Sequence, residues 1–80
     1  MLPFDYNKGL YRRNNFGQPC VWYARPLDYN SIEVFHGIIG KTITKDIIYI
    51  NRELRKEITS RINAKLKVGY KNLWDIKDNI

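Results

Sequence analysis

Between residues 10 and 50, apolar side chains recur at every second position in short runs, each cut by turn-forming residues; from residue 51 the repeat changes to every fourth position. A two-residue period is that of a half-buried strand, and a period near 3.6 is that of a helix with one buried face. The chain is therefore expected to be α+β: a small antiparallel sheet of three to four strands packed on one long C-terminal helix. Leu10–Arg13 reads as the first strand, and Asn14-Asn15-Phe16-Gly17 as a turn, since Asn and Gly tolerate positive φ. Pro19–Arg25 is the second strand, with Cys20, Trp22 and Ala24 on one face and Val21, Tyr23 and Arg25 on the other. A turn over Pro26–Asn30 leads into the third strand, Ser31–His36. After it comes a glycine-bracketed loop, His36-Gly37-Ile38-Ile39-Gly40-Lys41, and then a fourth strand from Lys41 to Lys45. Ile47–Ile50 is either its continuation or an early helical turn; four residues do not separate the two periods.

Leu54, Ile58, Ile62 and Leu66 line one stripe of a helix expected over about Arg52–Val68. Asn51 is placed to cap its start and Gly69 to end it in left-handed geometry. Glu57 and Arg61 stand one helical turn apart and form a favourable pair. Residues 1–9 read as an irregular lead-in, 10–70 as the domain and 71–80 as a tail. Trp22, flanked by apolar neighbours in mid-strand, is a core residue; Tyr23 and Trp74 are the expected exposed rings.

The chemistry available is narrow. A chain of 80 residues makes one small domain with no room for a deep substrate pocket. Its single histidine, His36, has no Ser or Cys nucleophile or carboxylate at a suggestive spacing, and its single cysteine closes neither a disulfide nor a zinc site. The carboxylates are dispersed. These features describe a non-enzymatic protein with no catalytic residues, no metal, no cofactor and no small-molecule substrate. A free Cys20 fits a reducing compartment, and the N-terminus has no secretory pattern, so a cytoplasmic site is expected, with no membrane partner.

The net charge is +6: residues 1–50 carry six Lys/Arg against four Asp/Glu, and residues 51–80 carry eight against four. A basic surplus attracts nucleic acid or an acidic protein surface, or serves only as a solvated face. The candidate binding residues are Arg12 and Arg25 on strands, His36, Ile38, Ile39 and Lys41 around the glycine loop, and Arg61 and Lys65 on the helix. Ile38 and Ile39 either project from the loop tip as an apolar wedge or fold back into the core.

Leu10-Tyr11-Arg12-Arg13 before Gly17, then Val21-Trp22, then His36-Gly37-Ile38-Ile39-Gly40-Lys41, and a basic helix ending Lys67-Val68-Gly69-Tyr70 resemble the WGR-type domain. That domain is found in poly(ADP-ribose) polymerases and with phage-type ATP-dependent DNA ligases. The resemblance covers about residues 10–70 and implies a small sheet packed on one helix, with DNA binding near breaks or ends. His36-Gly37-Ile38 stands where the family has Trp-Gly-Arg, so only the glycine carries over; Ile38 removes a guanidinium that would meet phosphate. The expectation is thus a stand-alone phage-type module that binds DNA or RNA through its basic helix and glycine loop. The alternative is a phage-encoded inhibitor or adaptor that docks on a host nucleoprotein enzyme, such as an anti-CRISPR or other counter-defence protein. In that case Ile38, Ile39, Tyr23, Tyr29 and Trp74 would be its apolar anchors.

Overall fold

The computed structural model describes residues 2–72. Five strands form one antiparallel sheet: β1 (Leu10–Arg13), β2 (Pro19–Asp28), β3 (Ser31–Ile38), β4 (Ile43–Tyr49) and β5 (Lys71–Asn72), in the order β4-β3-β2-β1-β5. One helix, α1 (Leu54–Lys67), lies between β4 and β5 in the chain. The α+β expectation holds, with two corrections. There are five strands rather than three or four, and the helix is not the last element. β5 comes from the segment read as tail: Leu10 pairs with Asn72 and Tyr11 with Lys71. A two-residue strand carries no period, so no pattern announces it. Gly69, at φ +102°, turns the chain back to β1.

Ile47–Ile50 is resolved as strand up to Tyr49, after which the Ile50 N–H donates to the Asn30 carbonyl at 2.7 Å. The first turn forms as its residues suggest: Asn14 Oδ1 accepts from the N–H groups of Phe16 (2.9 Å) and Gln18 (3.0 Å). The second turn is tighter than expected, because β2 continues through Pro26 to Asp28 with a bulge between those residues. Pro26 is tolerated there because β2 has outrun β1, so its absent N–H leaves no ladder bond unmade.

The glycine loop is mostly strand. His36, Gly37 and Ile38 belong to β3, and Gly37 pairs with Val21 on one side and Ile43 on the other. Its φ is +152°, and a Cβ there would lie 2.9 Å from the Thr42 carbonyl oxygen, so close backbone approach requires glycine.

Each sheet face has its own cover. On one, Leu10, Trp22, Ala24, Ile32 and Val34 form a buried cluster against Leu54, Ile58 and Ile62 of α1. On the other, Leu2, Tyr11 and Val21 are buried beneath Phe4, Ile39 and Ile43. The expected irregular lead-in is thus a strap: the Phe4 ring centroid lies 4.6 Å from that of Tyr23 and 5.3 Å from that of Phe35. Tyr23, expected to be exposed, is half-buried under it.

The helical stripe fails at its last position, since Leu66 is 41% exposed. Four-residue steps overshoot the ~3.6-residue turn, so the stripe drifts round the helix and leaves the sheet by Leu66. The helix also starts later than expected. Glu53 occupies the cap position without a side-chain bond, and Asn51 does not cap.

Ile32 is fully buried in the helix-side cluster. Ile32→Ala is expected to cost about 2–5 kcal/mol, read as a lower chemical-denaturation midpoint at unchanged m-value. A loss below about 1 kcal/mol would contradict the packed core.

Candidate nucleic-acid interface

Over the neighbouring ends of β2 and β3, beside the C-terminal half of α1, lies an open cleft of about 370 Å³. Its floor follows from sheet register. Cys20 stands opposite Ile38 and Trp22 opposite His36, and alternation directs all four to the helix side. Lys65, Tyr70 and Asn14 complete the lining. The Lys65 ammonium sits 6.0 Å from the centroid of Trp22 and 5.6 Å from that of Tyr70. The Arg12 guanidinium lies 5.5 Å over Tyr70 and donates to the Val68 carbonyl at 2.7 Å. Tyr70 is thus flanked by two cations, and burial pushes its phenol above the ordinary range. His36 Nε2 lies 2.9 Å from Asp46 Oδ2 on β4, which leaves Nδ1 outside that pair.

Lys65 is on the sheet side because it lies seven residues after Ile58, two near-complete helical turns. Leu54, Ile58 and Ile62 face the sheet with Lys65 following them, while Leu66 turns outward.

The charges are segregated. Arg25 bonds Glu33 at 2.8 Å, with Lys45 3.8 Å from the same carboxylate. Glu57, nearly buried, accepts from Arg52 Nε at 2.6 Å and Arg61 Nε at 2.7 Å. These bonds, Arg52's first, hold its carboxyl below the usual range. Lys56 is 3.9 Å from Glu53. By contrast, Arg12 and Lys65 at the cleft, Lys67 on the last turn of α1, and Arg13 and Lys71 on the β1–β5 edge have no carboxylate partner among the described residues. Lys41, exposed in the turn after β3, lies at the same end as Ile38 and is likewise unpartnered.

Three of the sequence-predicted residues, His36, Ile38 and Lys65, line this cleft, with Arg12 beside it over Tyr70 and Lys41 near its Ile38 end. Three do not. Arg25 faces the strap side, held by Glu33 and stacked 5.1 Å over Phe35. Ile39 packs into the strap-side cluster, so no pair of isoleucines projects from a loop tip. Arg61 is engaged by Glu57. Trp74 lies outside the described residues. Cys20, Trp22, Asn14 and Tyr70 were not foreseen as site residues; the alternation of β2 is the signal that places Cys20 and Trp22 on the helix side, and the return after Gly69 the one that places Tyr70 beside Lys65.

No group of metal-ligating side chains is assembled among the described residues, and no helix there is long and apolar enough to cross a membrane. No protein-family model, curated protein or solved structure matches the chain.

The two guanidinium bonds stabilise the fold while Glu57 is ionised. Because its folded pKa is lowered, that contribution is present above the unfolded value of 4.5 and disappears as pH falls through the folded one. Glu57→Gln should therefore be less stable than the parent at neutral pH, and the gap should close in acid. A gap independent of pH in denaturation curves would contradict this pairing.

Proposed function

We propose that this protein is a non-enzymatic nucleic-acid-binding module that grips the phosphate backbone with the basic end of the domain. The observation that carries the reading is the separation of charge. Glu33 and Glu57 engage Arg25, Arg52 and Arg61 in ion pairs, whereas Lys65 in the cleft, Arg12 over Tyr70 beside it, Lys67 on the last helical turn and Lys41 after β3 have no such partner among the described residues; Arg55, likewise without one, lies apart from them. A polyanion laid across that end releases condensed counterions from each phosphate met by a cation, which drives sequence-tolerant binding. The WGR resemblance agrees with this reading. In this reading the expected surface, the basic helix and the glycine loop, narrows to the end of the domain that carries the cleft.

A second reading, docking on a nucleic-acid-processing protein complex, is favoured by the opposite end of the sheet. β4 is an edge strand. Even-numbered residues of β4 face β3, as the Ile50–Asn30 bond requires, so Ile43, Lys45, Ile47 and Tyr49 direct their backbone N–H and C=O groups away from the sheet. Ile47 is 49% and Tyr49 78% exposed, with Leu27 and Tyr29 exposed at the same end. An incoming strand would find both hydrogen bonds and apolar contacts there. The anchors of an inhibitor or adaptor are then Leu27, Tyr29, Ile47 and Tyr49, not Ile38, Ile39 or Tyr23.

Titrations of DNA and RNA across a salt series test the first reading. The parent should bind with a steep log–log salt slope, and Arg12→Gln with Lys65→Gln should weaken binding and flatten that slope by about 1–2, roughly one per lost phosphate contact. Arg55→Gln, exposed and away from the cleft, should change little. Equal binding by all three proteins would contradict the assignment to the cleft end.

A further inference from the structure

We propose that the cleft receives one unpaired nucleobase, so that the protein holds bulged or single-stranded nucleic acid more tightly than fully paired duplex. This deepens the reading above and rests on it.

Size is the first argument. The cleft measures about 370 Å³, near the lower end of the ~300–1,000 Å³ typical of small-molecule sites. It is open enough to admit one heterocycle with its sugar and far too small for a base pair in a helix. The second argument is the order of the chemistry from mouth to floor. Lys65 lines the cleft and Arg12 lies beside it over Tyr70, and both can answer a phosphate; one Arg12 N–H is used on Val68, and its other donors remain. The floor is apolar, formed by Cys20, Ile38 and the exposed margin of Trp22. A free inorganic anion would meet the cations but leave that floor bare. An aliphatic ligand would cover the floor but leave the cations unanswered. A nucleotide satisfies both.

The third argument is the set of polar atoms beside the floor. His36 engages Asp46 through Nε2, so Nδ1 remains for a base edge. Asn14 Nδ2 gives one hydrogen to Gln18 Oε1 at 2.9 Å and retains a second. A ring donor or acceptor and an amide donor suit several base edges without selecting one, so the preference should be for an unpaired base and not for a sequence. A base must leave its stack to enter, which costs a few kcal/mol in a paired site and much less in a bulge or single strand.

Three versions of one duplex decide the question: fully paired, carrying a single-nucleotide bulge, and carrying the same bulge without its base. Burial of the base against Cys20 and Ile38 should make the bulged duplex bind several-fold more tightly than the abasic bulge, which should match the paired duplex. Ile38→Phe, which fills the floor, should erase the preference. Equal affinity of the parent for all three duplexes would overturn the base cleft and leave phosphate binding standing, and that comparison does not depend on any variant folding. A folded Ile38→Phe protein that keeps the bulge preference would also overturn it. Failure to bind any of these duplexes or a single strand would overturn both readings.

Discussion

Val21 and Trp22, neighbours on the central strand β2, anchor opposite cores, and everything else in the domain is arranged to cover the two faces they define. Among the described residues, two segments cover the five-stranded sheet. α1 closes the Trp22 face, and the Leu2–Phe4 strap closes the Val21 face. Each aromatic or branched side chain buried this way removes a large apolar area from water, which a small domain needs to offset chain entropy. Gly37 belongs to the same constraint, because it lets β3 carry its ladder beneath the Thr42 carbonyl into the turn toward β4.

The candidate site is a consequence of incomplete coverage. α1 spans 14 residues and turns its last apolar residue, Leu66, away from the sheet. Lys65 takes the inward position instead, and its ammonium lies above the Trp22 and Tyr70 rings while the floor between Cys20 and Ile38 stays open. At the other end of α1, Glu57 gathers Arg52 and Arg61, which removes two cations from any outer binding face. The helix that looked basic along its length therefore holds most of its early cations in ion pairs, Arg55 excepted, and carries Lys65 and Lys67 near its end with no carboxylate partner among the described residues. Exposed pairs such as Lys56–Glu53 add little to stability, so their main effect is on where free positive charge remains.

The sheet was legible because period-two alternation directly encodes which side chains share a face. The pairing of Cys20 and Trp22 with Ile38 and His36 adds only the register. The helix was legible in existence and direction but not in phase. A four-residue repeat suggested Leu66 inward and Lys65 outward, whereas the ~3.6-residue turn reverses them. β5 and the strap left no period to read, since two residues and a proline-containing lead-in carry none. His36-Gly37-Ile38 looked like a loop because glycines usually mark one, yet here glycine answers a close approach within the sheet. Of the candidate residues, those set by strand alternation, Arg12, His36 and Ile38, lie on the helix side of the sheet at or beside the cleft, as the pattern implies. Arg25 is held by Glu33 across the sheet, a tertiary fact, whereas the Glu57–Arg61 pair was legible in helical spacing and only the addition of Arg52 to it was not.

The account rests on one claim: the basic cleft end is the surface that meets nucleic acid. Amide chemical-shift mapping during titration with a short oligonucleotide tests it most directly. The account predicts that the largest shifts fall on Arg12, Asn14, Cys20, His36, Ile38 and Lys65–Tyr70, with Ile47 and Tyr49 unmoved. Shifts concentrated on β4 and the Leu27–Tyr29 turn, or none at any ratio, would contradict it.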